Sequence, residues 1–330
     1  MSVTKKILDE LIKKCPNVHK LYFDNDNVDG FKEFKDIKYY YEDYIYNTYV
    51  DKMYFLHRIS FEESSLKKLE VNKYGVSELS YIGSPSALIF NTLGNEYVVE
   101  FYENDKIPKG KYKIRYEAPY PLLNDIIYSS ATLRNDKEVM IMVDCKFLDN
   151  LEPIKDLSED YLNPKNYKVY EIDKRIAESF VELFKINLKP NSEYTKNGKK
   201  YYKPLYNTYD LFRIFNYAIG FLTDLLINKK KAKYKNISKV ILLDTLWHTE
   251  KLHPDFLDEK ENIFRDKFLI EEYGYKEVKK YFVDMINSIY SAARSHGVNI
   301  EFDFEYIPWR KLIDIINCKD RREYLDRYII

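Results

Sequence analysis

The segment VMIMVDCK, residues 139–146, constrains the fold of this chain more than any other segment. Its first five residues are all apolar, which is typical of a short strand covered on both faces. Such a strand belongs inside a sheet that has helices packed on each side. Because side chains alternate along a strand, Asp144 and Lys146 are expected on one face and Cys145 on the other. The sequence therefore predicts a carboxylate and an ammonium group side by side where a buried strand ends.

The segments around this strand predict a mixed α/β fold. Residues 86–147 have the pattern of a helix followed by three strands, and apolar residues at helical spacing from Ala87 to Phe101 mark the helix. Two helices, a second buried strand, another helix and an alternating strand follow, at 171–187, 211–225, 237–247, 275–295 and 298–309. We expect a mixed central sheet flanked by helices. The alternating strand has one polar face, so it is expected near the edge of the sheet.

Two segments lie outside this pattern. Residues 1–85 form a tyrosine-rich amino-terminal region that we expect to be mostly helical, and residues 86–330 form the domain that carries the sheet. Within that domain, the polar stretch at 149–205 has the composition of an insertion. The carboxy-terminal part adds a helix–strand–helix extension. A length of 330 residues allows one large domain or two modest ones.

The composition excludes several classes of protein. Lysine plus arginine and aspartate plus glutamate both number 53, so any contact with nucleic acid must depend on local patches. Three widely spaced cysteines predict neither a disulfide framework nor a zinc site. No stretch reaches the roughly 18 apolar residues of a membrane span, and the first residues lack the apolar core of a signal peptide. We therefore expect a cytoplasmic protein without a membrane partner.

The segment NDIIYSS, residues 124–130, supplies a second carboxylate. A turn at residues 135–136 would pair it antiparallel with the buried strand, which brings Asp125 opposite the residues from Asp144 to Lys146. Neighbouring carboxylates repel each other, and a divalent cation with oxygen ligands, Mg²⁺ or Mn²⁺, would relieve the repulsion. Lys146 could then help to deprotonate a water molecule or neutralise charge on a phosphate. This set of groups suits hydrolysis of a phosphodiester.

A structural explanation of the same residues stays open. Asp-x-Lys also occurs at Asp36 and at Asp258, in segments that are polar. Charged residues commonly end a strand because the strand has reached water, and an exposed ion pair contributes well under about 1 kcal/mol. The functional interpretation is favoured by context, because an acid opens the preceding strand and a helix and a further strand follow.

The order helix, three strands, helix, strand resembles the common core of the PD-(D/E)xK nuclease superfamily. Residues 124–125, Asn-Asp, are similar to the first motif of that superfamily, with asparagine in place of proline. Residues 144–146, Asp-Cys-Lys, are similar to its second motif. The resemblance covers roughly residues 86–245, and it implies a restriction-endonuclease-like fold.

The later helix carries a further part of the resemblance. The segment DLFRIFNYA, residues 210–218, resembles the helix of Cas4-like nucleases and of the nuclease subunit of McrBC-type restriction systems. An aspartate, an amide and a tyrosine recur along one face of that helix, and Arg213 stands here in place of the amide. Arg213 and Tyr217 are one turn apart, so they either line the cleft or form an ordinary helix flank.

The resemblance implies roles for the other residues. Asp125 and Asp144 would bind the metal, with the backbone carbonyl of Cys145 as an additional ligand, and Lys146 would be the catalytic lysine. The same three charged residues would then form the catalytic set.

The first predicted helix could add one more acid. Glu96 and Glu100 are one turn apart, and Glu100 lies nearer the apolar face. The commoner role of such glutamates is a solvated surface position.

Two segments interleave lysine with tyrosine, at 195–203 and 229–235. Lysine side chains neutralise phosphates and tyrosine rings stack on unpaired bases, although most charge runs are simply solvated. The candidate nucleic-acid-binding residues are Lys199, Lys200, Tyr201, Arg213, Tyr217, Lys229, Lys230 and Lys231.

These features predict a Mg²⁺-dependent nuclease, a DNA endonuclease of a restriction system, a defence system or a mobile element. The alternative is a non-catalytic subunit on the same core that binds nucleic acid or joins a complex. A homodimer or docking of a separate motor ATPase or GTPase would fit either function. The chain carries no G-x-x-x-x-G-K-[ST] loop with which to supply that motor.

Overall fold

The structure, a computed structural model, describes residues 18–21, 38–41, 85–94, 98–116, 118–135, 138–147, 156–204, 211–227, 234, 236–247, 275–319 and 322–329. The α-helices in these parts are α1 (Pro85–Leu93), α2 (Lys174–Ile186), α3 (Leu211–Ile227), α4 (Tyr275–Ala292), α5 (Trp309–Asp314) and α6 (Arg322–Leu325). The strands are β1 (Val18–Leu21), β2 (Lys38–Tyr41), β3 (Val98–Phe101), β4 (Gly110–Tyr116), β5 (Pro119–Leu122), β6 (Asp125–Tyr128), β7 (Ala131–Arg134), β8 (Val139–Lys146), β9 (Leu157–Ser158), β10 (Tyr194–Lys196), β11 (Lys199–Tyr202), β12 (Lys239–Leu246) and β13 (Glu301–Tyr306).

A six-stranded mixed sheet organises the fold, in the order β13-β12-β8-β7-β4-β3. Strands β13, β12 and β8 run parallel, while β7, β4 and β3 add antiparallel neighbours. The parallel strands β8 and β12 lie in the middle and are buried along almost their whole length, as their continuous apolar runs predict. Strand β13 alternates in sequence and forms one edge of the sheet, which confirms that prediction.

Helices cover both faces of this sheet. On the Cys145 face, Ile141, Val143 and Cys145 of β8 pack in one core with α1, α5 and α6. On the Asp144 face, Met140 and Met142 pack in a second core with α2, α3 and α4. Alternation of side chains along β8 places Asp144 and Lys146 on the face of Met140 and Met142. The fold is therefore a mixed α/β architecture with a central mixed sheet between helices, as the sequence predicts.

The first helix is shorter than its apolar spacing predicts. Helix α1 ends at Leu93, where Gly94 adopts a left-handed conformation with φ of 89°. Glycine adopts this conformation without steric cost, so it commonly follows the last residue of a helix. Val98 to Phe101 then form strand β3 on the other edge of the sheet, and the prediction that the helix continues through them is wrong.

The predicted pairing of residues 124–130 with β8 is also wrong. Strand β6 pairs with β5 in a separate two-stranded hairpin, and the partner of β8 is β7. The chain changes partners at two adjacent residues, because the Ser129 N–H donates to the Ala118 carbonyl at 3.1 Å and the Ser130 N–H donates to the Val143 carbonyl at 2.9 Å. Sequence periodicity identifies strands but does not identify which strands pair.

The amino-terminal region is described only in β1 and β2, which pair antiparallel. These eight residues form strands and not helix, and the other residues from 1 to 84, on which the expectation of a mostly helical region depends, lie outside the described residues. The segment at 149–205, which has the composition of an insertion, is described at residues 156–204. Its helix α2 buries Phe180 and Phe184 in the core of the Asp144 face.

Candidate active site

Asp144 and Lys146 lie at the carboxyl end of β8 and are both buried. Only 3% of Asp144 and 8% of Lys146 is exposed to solvent. The predicted arrangement of a carboxylate and an ammonium group on one face of a buried strand is therefore present. Charged side chains are seldom buried to this extent without a specific partner, so their surroundings determine what they can do.

The neighbouring strand adds a second buried carboxylate beside the first. Strand β12 runs parallel to β8 with Asp244 directly in register with Asp144. Neighbouring strands lie about 4.8 Å apart, and residues in register point to the same face of a sheet. Asp244 is 2% exposed. The two aspartates thus bring two buried carboxyl groups together at the end of the parallel strands.

Helix α3 places two polar side chains against Asp144. Arg213 Nη2 lies 2.9 Å from Asp144 Oδ1, and Arg213 Nε donates a hydrogen bond of 3.2 Å to the Tyr217 hydroxyl. The Tyr217 hydroxyl lies 3.0 Å from the same oxygen of Asp144 and 3.2 Å from the Tyr128 carbonyl, and its single proton can be donated to either acceptor. Burial raises the pKa of Tyr217 far above its usual value, so the hydroxyl keeps its proton.

The two oxygens of Asp144 have different environments. Oδ1 is held by Arg213 and Tyr217, whereas Oδ2 is buried and makes no hydrogen bond to any residue that the structure describes. A buried carboxylate oxygen without a protein partner costs free energy, and a water molecule, an ion or a ligand can supply the missing bond. Anchoring one oxygen of a carboxylate also fixes the direction of the other.

Asp125, the second aspartate of the predicted metal site, lies at the tip of the β5–β6 hairpin. Its side chain is exposed, and its Oδ1 accepts a hydrogen bond of 2.8 Å from the Ile126 N–H. Tyr128, at the other end of β6, provides the carbonyl that faces Tyr217. Three residues of strand span about 10 Å, so the structure brings the base of this hairpin, and not its tip, to Asp144.

A glycine on α3 allows the hairpin to pack closely against the helix. A Cβ atom on Gly220 would lie 2.9 Å from the Tyr120 Cβ atom and 3.3 Å from the Pro121 carbonyl oxygen, both of β5. Contacts below 3.0 Å require movement of one partner, and neither of these atoms is the end of a flexible side chain. Gly220 therefore sets the distance between α3 and the hairpin that carries Asp125.

The remaining predicted metal ligands are spread over the fold. Glu100 lies on β3, three strands away from β8 in the sheet, and Glu96 lies outside the described residues. The side chain of Cys145 is buried on the opposite face from Asp144, and its N–H donates to Ser130 Oγ at 2.9 Å. The structure does not bring Glu100 to the end of β8.

The predicted lysine–tyrosine segments are only partly described. Lys199 and Lys200 lie on the β10–β11 hairpin and form ion pairs with Asp160 at 3.4 Å and with Glu193 at 2.7 Å. Tyr201 stacks on Tyr194 with ring centroids 5.8 Å apart. The acids offset much of the local positive charge of this hairpin. The three lysines 229–231 lie outside the described residues.

Asp244 was not predicted as a site residue, although the sequence contains a pattern that indicates it. The segments VMIMVD and KVILLD both show an apolar run that ends in aspartate. When two such strands are parallel neighbours, their ends meet at the same edge of the sheet. The similarity of the two endings could therefore have predicted a pair of carboxylates.

The fold and the site together define an α/β protein with buried acidic and basic groups where its parallel strands end. No protein-family model matches this chain, and the comparisons with curated proteins and with solved structures found no significant match. Across the described ranges, no three or more histidine, cysteine, aspartate or glutamate side chains come together as a metal-binding group. None of the helices described is both long enough and apolar enough to cross a membrane.

Proposed function

We propose that this protein is a metal-dependent nuclease with a restriction-endonuclease-like fold that hydrolyses phosphodiester bonds in DNA. The observation that carries the proposal is the buried Asp144, whose Oδ2 makes no hydrogen bond to any described residue. Lys146 follows on the same face, and Asp244 lies in register beside it. An endonuclease of a restriction system, a defence system or a mobile element is the biological role that this chemistry suits.

The charges of the site support a bound divalent cation. Asp144 and Asp244 contribute two negative charges, and Arg213 and Lys146 contribute two positive charges, so these four groups have no net charge. A phosphodiester carries a negative charge, and its approach would be favoured by an added cation at Asp144 Oδ2. Oxygen ligands suit Mg²⁺ and Mn²⁺. The donors would be Asp144 together with either Asp244, which lies beside it, or Asp125, as the sequence predicts.

A bound Mg²⁺ or Mn²⁺ would supply Lewis-acid stabilisation of the charge that develops on the phosphate. The side chains of the protein have separate functions. Arg213 and Tyr217 hold Oδ1 and so keep the Asp144 carboxylate in one orientation. Lys146 places an ammonium group at the strand end, where it can stabilise a phosphate oxygen or hold a proton. The Arg213 side chain is 37% exposed, so its outer face can contact an incoming phosphate.

Cleavage assays on plasmid and single-stranded DNA with Mg²⁺ or Mn²⁺ test the proposal. We expect the wild-type protein to cleave and Asp144→Asn and Lys146→Met to cleave at least about a hundredfold more slowly. Asp284→Asn is a matched control, because Asp284 is exposed on α4. Equal cleavage by wild type and Asp144→Asn would contradict the proposal.

A calorimetric titration with Mn²⁺ identifies the second carboxylate. If Asp244 is the partner of Asp144, Asp244→Asn weakens Mn²⁺ binding and Asp125→Asn does not. The reverse result would assign the role to Asp125 through movement of the β5–β6 hairpin. If the wild-type protein binds no Mn²⁺ in this titration, the result counts against both assignments.

One observation favours a second function, a non-catalytic subunit that binds nucleic acid. The ion pair between Arg213 and Asp144 at 2.9 Å already balances the charge of that carboxylate. This function predicts DNA binding that persists unchanged in Asp144→Asn, together with no cleavage and no binding of Mn²⁺.

A further inference from the structure

A second polar site lies on the Asp144 face, at the other end of the sheet. It is a cavity of about 450 Å³ between β4, β7, the carboxyl-terminal half of α3 and residues 234–237. Arg134 in its wall pairs with Met140, four residues before Asp144. Four residues of strand span roughly 13 Å, so this cavity is separate from the candidate active site.

Three cationic side chains line the cavity. Lys113 and Arg115 project from β4, and Arg134 projects from the neighbouring β7, where it is directly in register with Lys113. Lys113 and Arg115 are exposed to solvent. Among the lining residues that the structure describes, Asp224 of α3 is the one carboxylate, and it is buried. These described lining residues carry three positive charges and one negative charge, which is a net charge of two positive.

The other groups of the cavity favour a ligand larger than an inorganic ion. The guanidinium of Arg134 lies 5.3 Å from the ring centre of Tyr234, a cation–π contact that holds both side chains in place. The Tyr120 hydroxyl bonds to Thr132 Oγ1 at 2.8 Å. Asn135 Oδ1 accepts a hydrogen bond of 3.0 Å from the Val139 N–H, whereas the exposed side-chain amide of Asn236 offers both a donor and an acceptor. The volume falls in the range of small-molecule sites, about 300 to 1,000 Å³.

We propose that this cavity binds a nucleotide phosphate, either in a free nucleotide or at the end of a nucleic-acid strand. Lys113, Arg115 and Arg134 contact the phosphate, because a phosphate monoester carries close to the two negative charges that balance the cavity. The exposed amide of Asn236 contacts the edge of the base. This proposal does not depend on nuclease activity, since binding alone satisfies it.

Isothermal titration of the full chain with AMP, adenosine and inorganic phosphate tests the proposal. We expect saturable binding of AMP and at least about tenfold weaker binding of both adenosine and phosphate. The double variant Lys113→Gln/Arg115→Gln should bind AMP at least about tenfold more weakly than wild type. Both positions are exposed on a strand, and a thermal unfolding curve verifies that the variant is folded.

Lys111→Gln is the matched control for this variant. Lys111 is exposed on β4, two residues from Lys113 and on the same side of the strand, but it does not line the cavity. We expect its affinity for AMP to stay within about twofold of wild type. Equal weakening by Lys111→Gln, equal affinity for adenosine and AMP, or no saturable binding of AMP would each overturn the proposal.

Short oligonucleotides distinguish the two sources of the phosphate. Tighter binding of a 5′-phosphorylated hexanucleotide than of its 5′-hydroxyl counterpart, lost in the double variant, supports a strand end as the ligand. Binding of AMP without any preference for the phosphorylated hexanucleotide supports a free nucleotide. Persistent AMP binding by Asp144→Asn would confirm that this site and the candidate active site are independent.

Discussion

Side chains of β8 and β12 alternate between the two faces of the sheet, and the two faces differ at the carboxyl ends of these strands. On the Cys145 face, Cys145 and Thr245 lead to Phe147 and Trp247, whose rings contact edge to face with centroids 4.7 Å apart. The apolar core thus continues past the strand ends. On the Asp144 face, the strand ends carry the charged residues Asp144, Lys146 and Asp244, next to the buried Leu246. Arg213 and Tyr217 of α3 contact Asp144 there. At the ends of β8 and β12, the Cys145 face therefore carries no charged side chain, whereas the Asp144 face carries three.

The apolar residues of the Cys145 face stabilise the fold, whereas the charged residues of the Asp144 face serve another purpose. Fully burying a large apolar side chain stabilises a protein by about 1.5 to 3 kcal/mol, and the Cys145 face gains this repeatedly. Burying two carboxylates side by side costs free energy unless their partners offset it. Charges placed at such a cost in one cluster are typical of a functional site. Each face therefore predicts a different response to mutation.

The largest effect is expected from Asp144→Ala on the polar face. Under the proposed function, DNA cleavage should fall about 10⁴-fold, which corresponds to roughly 5 kcal/mol of transition-state stabilisation. The free energy of unfolding should change by no more than about 2 kcal/mol, because the partly exposed Arg213 can be hydrated when its partner is lost. Cleavage rates and urea unfolding curves measure the two quantities. Strong destabilisation without loss of activity per folded molecule would contradict a functional role for Asp144.

The opposite pattern is expected from Trp309→Ala on the Cys145 face. Trp309 is 1% exposed, packs against Tyr328 and donates a 2.7 Å hydrogen bond to Thr92 Oγ1. Removing so large a buried side chain should lower the free energy of unfolding by about 3 to 5 kcal/mol. Cleavage per folded molecule should stay within about threefold of wild type, because the residue lies behind the sheet from Asp144. Urea unfolding followed by circular dichroism measures the loss.

A smaller effect is expected where the polar face meets the β5–β6 hairpin. In an open helix position, Gly220→Ala would stabilise the protein by up to about 1 kcal/mol. Here the added methyl group meets Tyr120 and Pro121, so we expect a loss of about 1 to 3 kcal/mol in the free energy of unfolding. Differential scanning calorimetry should show a lower melting temperature. A higher melting temperature would show that the hairpin can move away from α3 at little cost in free energy.

The smallest effect is an acid-dependent loss of stability at the start of α2. Asp173 caps this helix, and its pKa is lowered to about 2, first by the hydrogen bond from His296 and also by Arg175. In the unfolded chain an aspartate has a pKa of about 3.9. The contribution of Asp173 is therefore complete above pH 4 and is lost as the pH falls toward 2.

Asp173→Asn isolates this contribution, because asparagine also caps helices. The unfolding free energy of wild type should exceed that of the variant by about 1 to 2 kcal/mol at pH 5, and the difference should shrink below pH 4. Urea titrations at three pH values measure it. A difference that stays constant with pH would show that the carboxylate charge is not involved.

The elements that bury apolar surface were predictable from the sequence. Strands β8 and β12 form at the apolar runs, and α3 forms over the residues with helical spacing, where the pattern predicts them. Of the candidate site, the shared face of Asp144 and Lys146 was predictable, because alternation along a strand is a local property. The neighbouring position of Arg213 and Tyr217 on one helix face was predictable for the same reason.

Strand pairing and the position of Asp125 were not predictable, and they determine most of the site geometry. A local spacing of two or about 3.6 residues settles which strands are buried and which residues share a face. The pairing of β6 with β5 and not with β8 follows only from the three-dimensional arrangement, as does the position of Asp244 beside Asp144, a hundred positions earlier. Pairing between distant segments depends on competition among all available partners, and local spacing does not encode that competition.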